Sequence, residues 1–310
     1  MRFTDLNSKH RVRQVCLYVT RHCNLNCSYC KVPRFQKEEL DTAKWIKILD
    51  LVKKKVAPEF IVLFGGEPFV REDISKLVDY TNTLDIAYTL ITNGTIDNEE
   101  VIRKLKGLTL SIDRPTSEKG FGEAAKSNWG MLNKYKNIVP DLVANITVTK
   151  SNIDDLRTIV QQLNEMKLWI IFSWLHWNGR PEDKFRANCP ELGITTEEDL
   201  KKFSRAYLLA DKRHNSIFYL ELIRRHYKDL DWHYRMDLNN PEYMIIDSDG
   251  TFMADPDFWG EEVKKISIFD DDFTVDKWWK LCRLDRVDER CPGSIWNHEM
   301  QLHTKDRLVH

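Results

Sequence analysis

The sequence predicts an α/β fold: a partial (β/α)6 TIM-like barrel over residues 1–190, with a small α+β extension containing a β-hairpin over 191–310. Three observations predict it. Between residues 12 and 175, apolar runs of period 2 alternate with apolar runs of helical period. Parallel pairing follows, because only a long crossover, such as a helix, can join parallel neighbours. After Pro190 the rhythm stops, and two helices and a turn-centred β pattern take over.

Each element has its own signal. "VRQVCLYVT" (12–20) reads as the first strand. The helix 42–56 aligns Trp45, Ile48, Leu49 and Val52 on one face, with Thr42 as its expected N-cap. "EFIVLF" (59–64) is a buried strand, and Ile74, Leu77 and Val78 mark the next helix. "IAYTLIT" (86–92) is the third strand, followed by a helix with Val101, Ile102 and Leu105. "LTLSID" (108–113) is the fourth, followed by a helix with Trp129, Met131, Leu132 and Tyr135. "LVANITVT" (142–149) is the fifth. Asn152 is the expected cap of a helix bearing Ile153, Leu156, Ile159, Val160 and Leu163, and "WIIFSWL" (169–175) is the sixth strand. Beyond it, Thr195-x-x-Glu198 reads as a capping box, and a second helix covers about 216–228. Residues 243–258 read as a hairpin turning at Ser248-Asp249-Gly250.

Composition narrows the function. Lys plus Arg is 47 and Asp plus Glu is 48, a net charge of −1 with no basic stripe, which argues against nucleic acid. No apolar run reaches the length of a membrane span, and no secretory h-region is visible. A reducing, cytoplasmic setting is the expectation, in which the seven cysteines are ligands or core thiols rather than disulfides.

Three of those cysteines fall in "TRHCNLNCSYC", as Cys23, Cys27 and Cys30, directly after the first strand. Chemistry in barrels of this type sits at the carboxyl ends of the strands. Thiolates bind iron–sulfur clusters and soft metals. Three thiols on a four-iron cube leave one iron open, as catalytic metal sites keep one position open. Two readings compete: incidental core thiols, and a zinc site with Cys189 or His22 as fourth ligand. Zinc ligands more often come as two separated pairs.

The Cys-x3-Cys-x2-Cys pattern, with Tyr29 before its last cysteine, resembles the signature of the radical S-adenosylmethionine (radical SAM) superfamily. "LFGGEP" (63–68), "ITNGT" (91–95) and "LSID" (110–113) at the next three strand ends extend the resemblance over about residues 12–175. It implies a [4Fe–4S] cluster on Cys23, Cys27 and Cys30, with S-adenosylmethionine on the open iron. It also implies reductive cleavage to a 5′-deoxyadenosyl radical that abstracts hydrogen, with a flavodoxin- or ferredoxin-type reductant. Independently of the family, Gly65 and Gly66 let backbone approach a ligand, and Glu67 can accept from its ammonium. Strand parity puts Thr109, Ser111 and Asp113 on one face, and Asn145, Thr147 and Thr149 on another, both expected to line a polar lumen. Asn93, Ser111 and Asn145 are assigned to the methionine carboxylate or ribose. Capping of turns is the competing reading for all three.

The extension is similar to the SPASM or twitch module that covers the substrate in many relatives, but its ligands depart from that pattern. Asp255 stands where a cysteine is expected, and only Cys282 and Cys291 remain. An auxiliary cluster, buried inert thiols, and a redox-active thiol that returns a hydrogen atom are three open readings for them. The run from Asp237 and Glu242 to Asp270, Asp271 and Asp272 is strongly acidic; it reads as solvated loop or as a cation-friendly cleft, with His176 a candidate substrate contact. Few residues precede the first strand, so no leader-binding domain is expected on this chain. The expected substrate is a natural-product intermediate, a small amino-sugar-like molecule or a peptide brought by a separate delivery protein. The expected outcome is epimerisation or dehydrogenation. Cofactor- or tRNA-modifying chemistry, and a non-catalytic iron–sulfur scaffold, are the alternatives.

Overall fold

The computed structural model describes residues 12–27, 30, 38–114, 122–174, 193–194, 196–215, 220–221, 223–224, 243–253 and 267–278. Six strands carry the predicted rhythm: β1 (Gln14–Thr20), β2 (Phe60–Gly65), β3 (Ala87–Thr92), β4 (Gly107–Ser111), β5 (Asp141–Val148) and β6 (Trp169–Trp174). Five helices alternate with them: α1 (Thr42–Leu51), α2 (Ile74–Asn82), α3 (Glu99–Ile102), α4 (Gly122–Tyr135) and α5 (Leu156–Glu165). All neighbouring pairs from β1 to β6 are parallel. Beyond them come α6 (Glu197–Leu209), β7 (Tyr243–Ile246) and β8 (Phe252–Met253).

The hairpin β7–β8 turns at Gly250, whose φ of +82° suits a residue without Cβ. It is not confined to a separate layer. β7 pairs in parallel with β1, from Gln14↔Tyr243 to Leu17↔Ile246, so the sheet runs β6-β5-β4-β3-β2-β1-β7-β8. The edge of β1 that a six-stranded sheet would leave unpaired is thereby covered.

Parity works as the sequence predicts on the helix side. Leu108, Leu110, Ala144 and Ile146 join Trp45, Ile48, Leu77, Ile159 and Leu163 in one core. The opposite face divides in two. On β4 to β6 it is polar, with Thr109, Ser111, Asn145 and Ser173. On β1, β2 and β7 it is apolar: Cys16, Tyr18, Val62 and Ile245 cluster with Phe60, Phe64 and Ile91. The uniformly polar lumen expected from two strands does not extend to the others, because β1 and β2 carry large apolar side chains on both faces. Burial there pushes the Cys16 thiol up to about 12, against a hydrogen bond from Gln14.

Three helix starts differ from expectation by a few residues. Asp41 caps α1, accepting from Lys44 N, and frees the Thr42 hydroxyl to bond Asp73. Asn152 does not cap α5; its side chain ties Thr149 N to the carbonyls of Asp113 and Thr147, and α5 starts after Asp155. Thr196 caps α6, accepting from Asp199 N, one residue along from the expected Thr195. The first helix ends in a π turn, Val52–Val56, before Ala57 in the left-handed region. Among the described residues no helix is long and apolar enough to cross a membrane.

Candidate active site

The loop after β1 carries the three thiols. Its entry is anchored by backbone. Gly66 N donates to Thr20 O and Glu67 N to His22 O, both at 2.8 Å. These bonds explain the two glycines. A Cβ on Gly65 would stand 2.1 Å from Thr20 O, and one on Gly66 2.1 Å from His22 O; Gly65 also has φ +154°. The close approach that the sequence assigned to a ligand is first made to the thiol-bearing loop itself.

Glu67 differs from expectation in a related way. Its side chain has no exposed surface. Oε1 accepts from Phe69 N and from the Thr92 hydroxyl, and Oε2 accepts from Asn93 N at 2.7 Å. The carboxylate thus ties the ends of β2 and β3 together. Burial pushes its pKa up, opposed by these three hydrogen bonds.

Asn93 reaches the thiols. Its amide Nδ2 donates to Cys23 Sγ at 3.7 Å and to Asn24 Oδ1 at 2.9 Å, and its Oδ1 accepts from Thr95. Asn24 closes the ring with a bond to the Thr95 hydroxyl. Leu25 N also donates to Cys23 Sγ, at 3.4 Å. Cys30 N donates to Cys27 O, so these two thiols sit on one turn, and Cys30 is exposed. Ser111 and Asn145 are opposite each other across β4 and β5 on the polar face, both half-buried. Asn145 Oδ1 accepts from Ser173, a partner the sequence did not mark.

Beneath the loop lies a polar network with no motif of its own. Glu39 accepts from the Thr20 hydroxyl and from Arg21 N at 2.6 Å. Arg71 donates to Val19 O and Leu40 O and pairs with Asp73. Burial pushes Asp73 up, but bonds from Arg71 and Thr42 outweigh it and hold the carboxyl below its usual range. Arg21 forms a buried, bidentate pair with Asp247. The sequence counted Asp247 in the acidic run; the pairing of residues 226 apart has no local signal. Other members of that run are also structural: Asp270 accepts from Ser267 N, and Asp272 pairs with Lys277. Tyr29, His176, Cys189, Asp255, Cys282 and Cys291 lie outside the described residues.

The donor set fits an iron–sulfur cube. The thiols of Cys23, Cys27 and Cys30 are free of disulfides, and Cys23 already receives the N–H···S bonds that ligated sulfurs take. A cube takes each thiolate on a different iron. His22, the alternative zinc ligand, is largely exposed and its Nε2 lies 3.9 Å from Glu39.

Comparison with known proteins agrees with this geometry. The Radical SAM superfamily model matches residues 17–119. The chain is 29% identical over 187 residues to an Fe-coproporphyrin III synthase of Methanosarcina barkeri, covering 56% of this chain and 46% of that protein. It is 36% identical over 103 residues to a PqqA peptide cyclase of Xanthomonas oryzae pv. oryzae, covering 31% and 26%. The chain thus spans less than half the length of these curated relatives. In fold it is similar to Streptococcus suis SuiB bound to the precursor peptide SuiA, with TM-score 0.68 at 16% identity, over 87% of this chain and 64% of that one. The three thiols, the Gly65-Gly66-Glu67 turn and the Asn93 turn all fall inside the stretch that matches the Radical SAM superfamily model, a family that uses a [4Fe–4S] cluster and S-adenosylmethionine.

Proposed function

We propose that this chain is a radical SAM enzyme that abstracts a hydrogen atom from a peptide substrate. One observation carries the proposal: three cysteines outside any disulfide on the loop after β1, whose start is held against the Gly65-Gly66 turn and whose Cys23 accepts from Asn93. Cys23, Cys27 and Cys30 would hold a [4Fe–4S] cluster, which would supply one-electron reduction of bound S-adenosylmethionine. The chain's own residues do the rest. Asn93 and Leu25 N–H groups orient the Cys23 sulfur. The backbone carbonyls of Gly65 and Gly66 are the proposed acceptors for the methionine ammonium, a role that the enclosed Glu67 carboxylate leaves to them. Ser111 and Asn145, adjacent on the polar face, are the proposed partners of its carboxylate or ribose. Tyr29 belongs with them by position in the motif. The apolar patch of Tyr18, Phe64 and Ile91 keeps water from the neighbouring wall.

The peptide cyclase likeness and the SuiB fold support a peptide substrate. Epimerisation or dehydrogenation is the proposed outcome, with Cys282 or Cys291 as hydrogen-atom donor in the first case. The longer match to a coproporphyrin synthase favours a second reading, a tetrapyrrole substrate. Anaerobic reduction with dithionite and S-adenosylmethionine is expected to release 5′-deoxyadenosine in wild type and none in Cys27→Ala; release by the variant overturns the proposal. Candidate precursor peptide and Fe-coproporphyrin III added in parallel separate the two substrate readings by which one is consumed. In deuterated solvent, an epimerase labels its product, and the Cys282→Ala or Cys291→Ala variant that removes the donor does not.

A further inference from the structure

The thiol-bearing segment leaves β1 at Arg21, and Leu40 leads into α1; both residues are fastened to the turn of β7–β8. Arg21 Nε donates to Asp247 Oδ1 at 2.9 Å, and its Nη2 donates to Oδ2. Both residues are buried, at 6% and 1% exposure. At the other end, Leu40 N donates to Ser248 O at 2.9 Å. Ser248 N donates to Asp247 Oδ1 at 2.7 Å, so the two anchors are one rigid turn. Gly250 packs on Leu40: a Cβ there would stand 3.0 Å from Leu40 Cδ1. Glu39 closes the mouth between the ends through Thr20 and Arg21.

A buried ion pair is weak evidence for stability, since a well-packed apolar pair does as well. What a bidentate guanidinium–carboxylate contact adds is a fixed direction. Here the direction is imposed two residues before Cys23, by a segment far outside residues 17–119.

We propose that the β7–β8 hairpin is part of the cluster site: Asp247 and Ser248 hold the two ends of the 21–40 loop together and so set the spacing at which Cys23, Cys27 and Cys30 take up iron. Asp247 is a positioning residue. The inference rests on the reading that these thiols hold a cluster.

The test is anaerobic reconstitution of the full chain with iron and sulfide, reading iron per chain and the rate of iron release to a chelator. Wild type is expected to hold about four irons. Leu163→Ala, which weakens the core at the distant α5, is expected to hold as many and release them as slowly. Asp247→Ala is expected to retain less than half and to release iron about tenfold faster, as loss of a charged hydrogen-bond pair implies. Should Asp247→Ala not fold, Arg21→Met combined with Asp247→Leu removes both charges together; it is expected to fold and still to release iron faster. Wild-type retention and release in either Asp247 variant overturns the proposal, as does equal iron loss in Leu163→Ala. A wild type that takes up no iron overturns the cluster reading beneath it instead.

Discussion

Gly66 shows how narrowly one residue conditions the site. Its added Cβ would meet His22 O at 2.1 Å and Arg21 O at 2.8 Å, all backbone atoms that cannot rotate away. Gly66→Ala therefore displaces the start of the thiol-bearing loop, at about 1–3 kcal/mol of overpacking. Its expected signature is a lowered urea midpoint together with incomplete iron uptake. Glu67 makes a prediction in pH. Glu67→Gln puts an amide N–H where Oε2 accepts from Asn93 N, donor against donor, a loss of about 1–3 kcal/mol. The wild-type carboxyl has a folded pKa raised above the ordinary 4.5 by burial. The folded state thus binds its proton more readily than the unfolded chain. Its contribution is complete below 4.5 and is lost as pH rises through the raised value. Urea unfolding at a series of pH values is expected to show the wild-type advantage over Glu67→Gln widening as pH falls from neutral toward 4.5; a pH-independent gap contradicts this. At this scale the sequence showed which residues matter better than what they touch. The thiols, the two glycines and Glu67 lie in short local motifs. Two of the three partners that enclose Glu67, Thr92 and Asn93, come from the end of another strand, and local spacing carries no trace of them.

Among the elements, α5 is the clearest case of legible packing. Leu156, Ile159, Val160 and Leu163 repeat at helical spacing and are all fully buried. Leu163→Ala is expected to lower stability by about 2–5 kcal/mol in urea titration, while leaving iron uptake unchanged. The six β/α units are legible for the same reason: each element's period is written in its own residues. The place of β7 is not. Its residues Met244, Ile245 and Ile246 are buried on both faces, which marks a strand inside a sheet but names no neighbour. The cover on the β1 edge, and the Arg21–Asp247 contact that comes with it, are pairings between segments more than two hundred residues apart. Caps slipped by one to three residues for a smaller reason. Asp41 caps α1 while Thr42 bonds Asp73, and Asn152 is drawn off to Thr149, Asp113 and Thr147; partners distant in sequence decide which candidate caps.

In the whole molecule, one sheet joins the thiol-bearing loop, the polar wall of β4 to β6, and the C-terminal hairpin. The sheet face away from the helices is half polar and half apolar, which suits a ligand with a charged end and a flat apolar part. The proposed chemistry depends on three protein sulfurs serving a four-iron cube. The most direct measurement is a Mössbauer spectrum of protein reconstituted with iron-57, before and after S-adenosylmethionine is added. One of about four irons is expected to change its signal on addition while the other three stay as they were. Four irons that are all insensitive to S-adenosylmethionine would contradict the account.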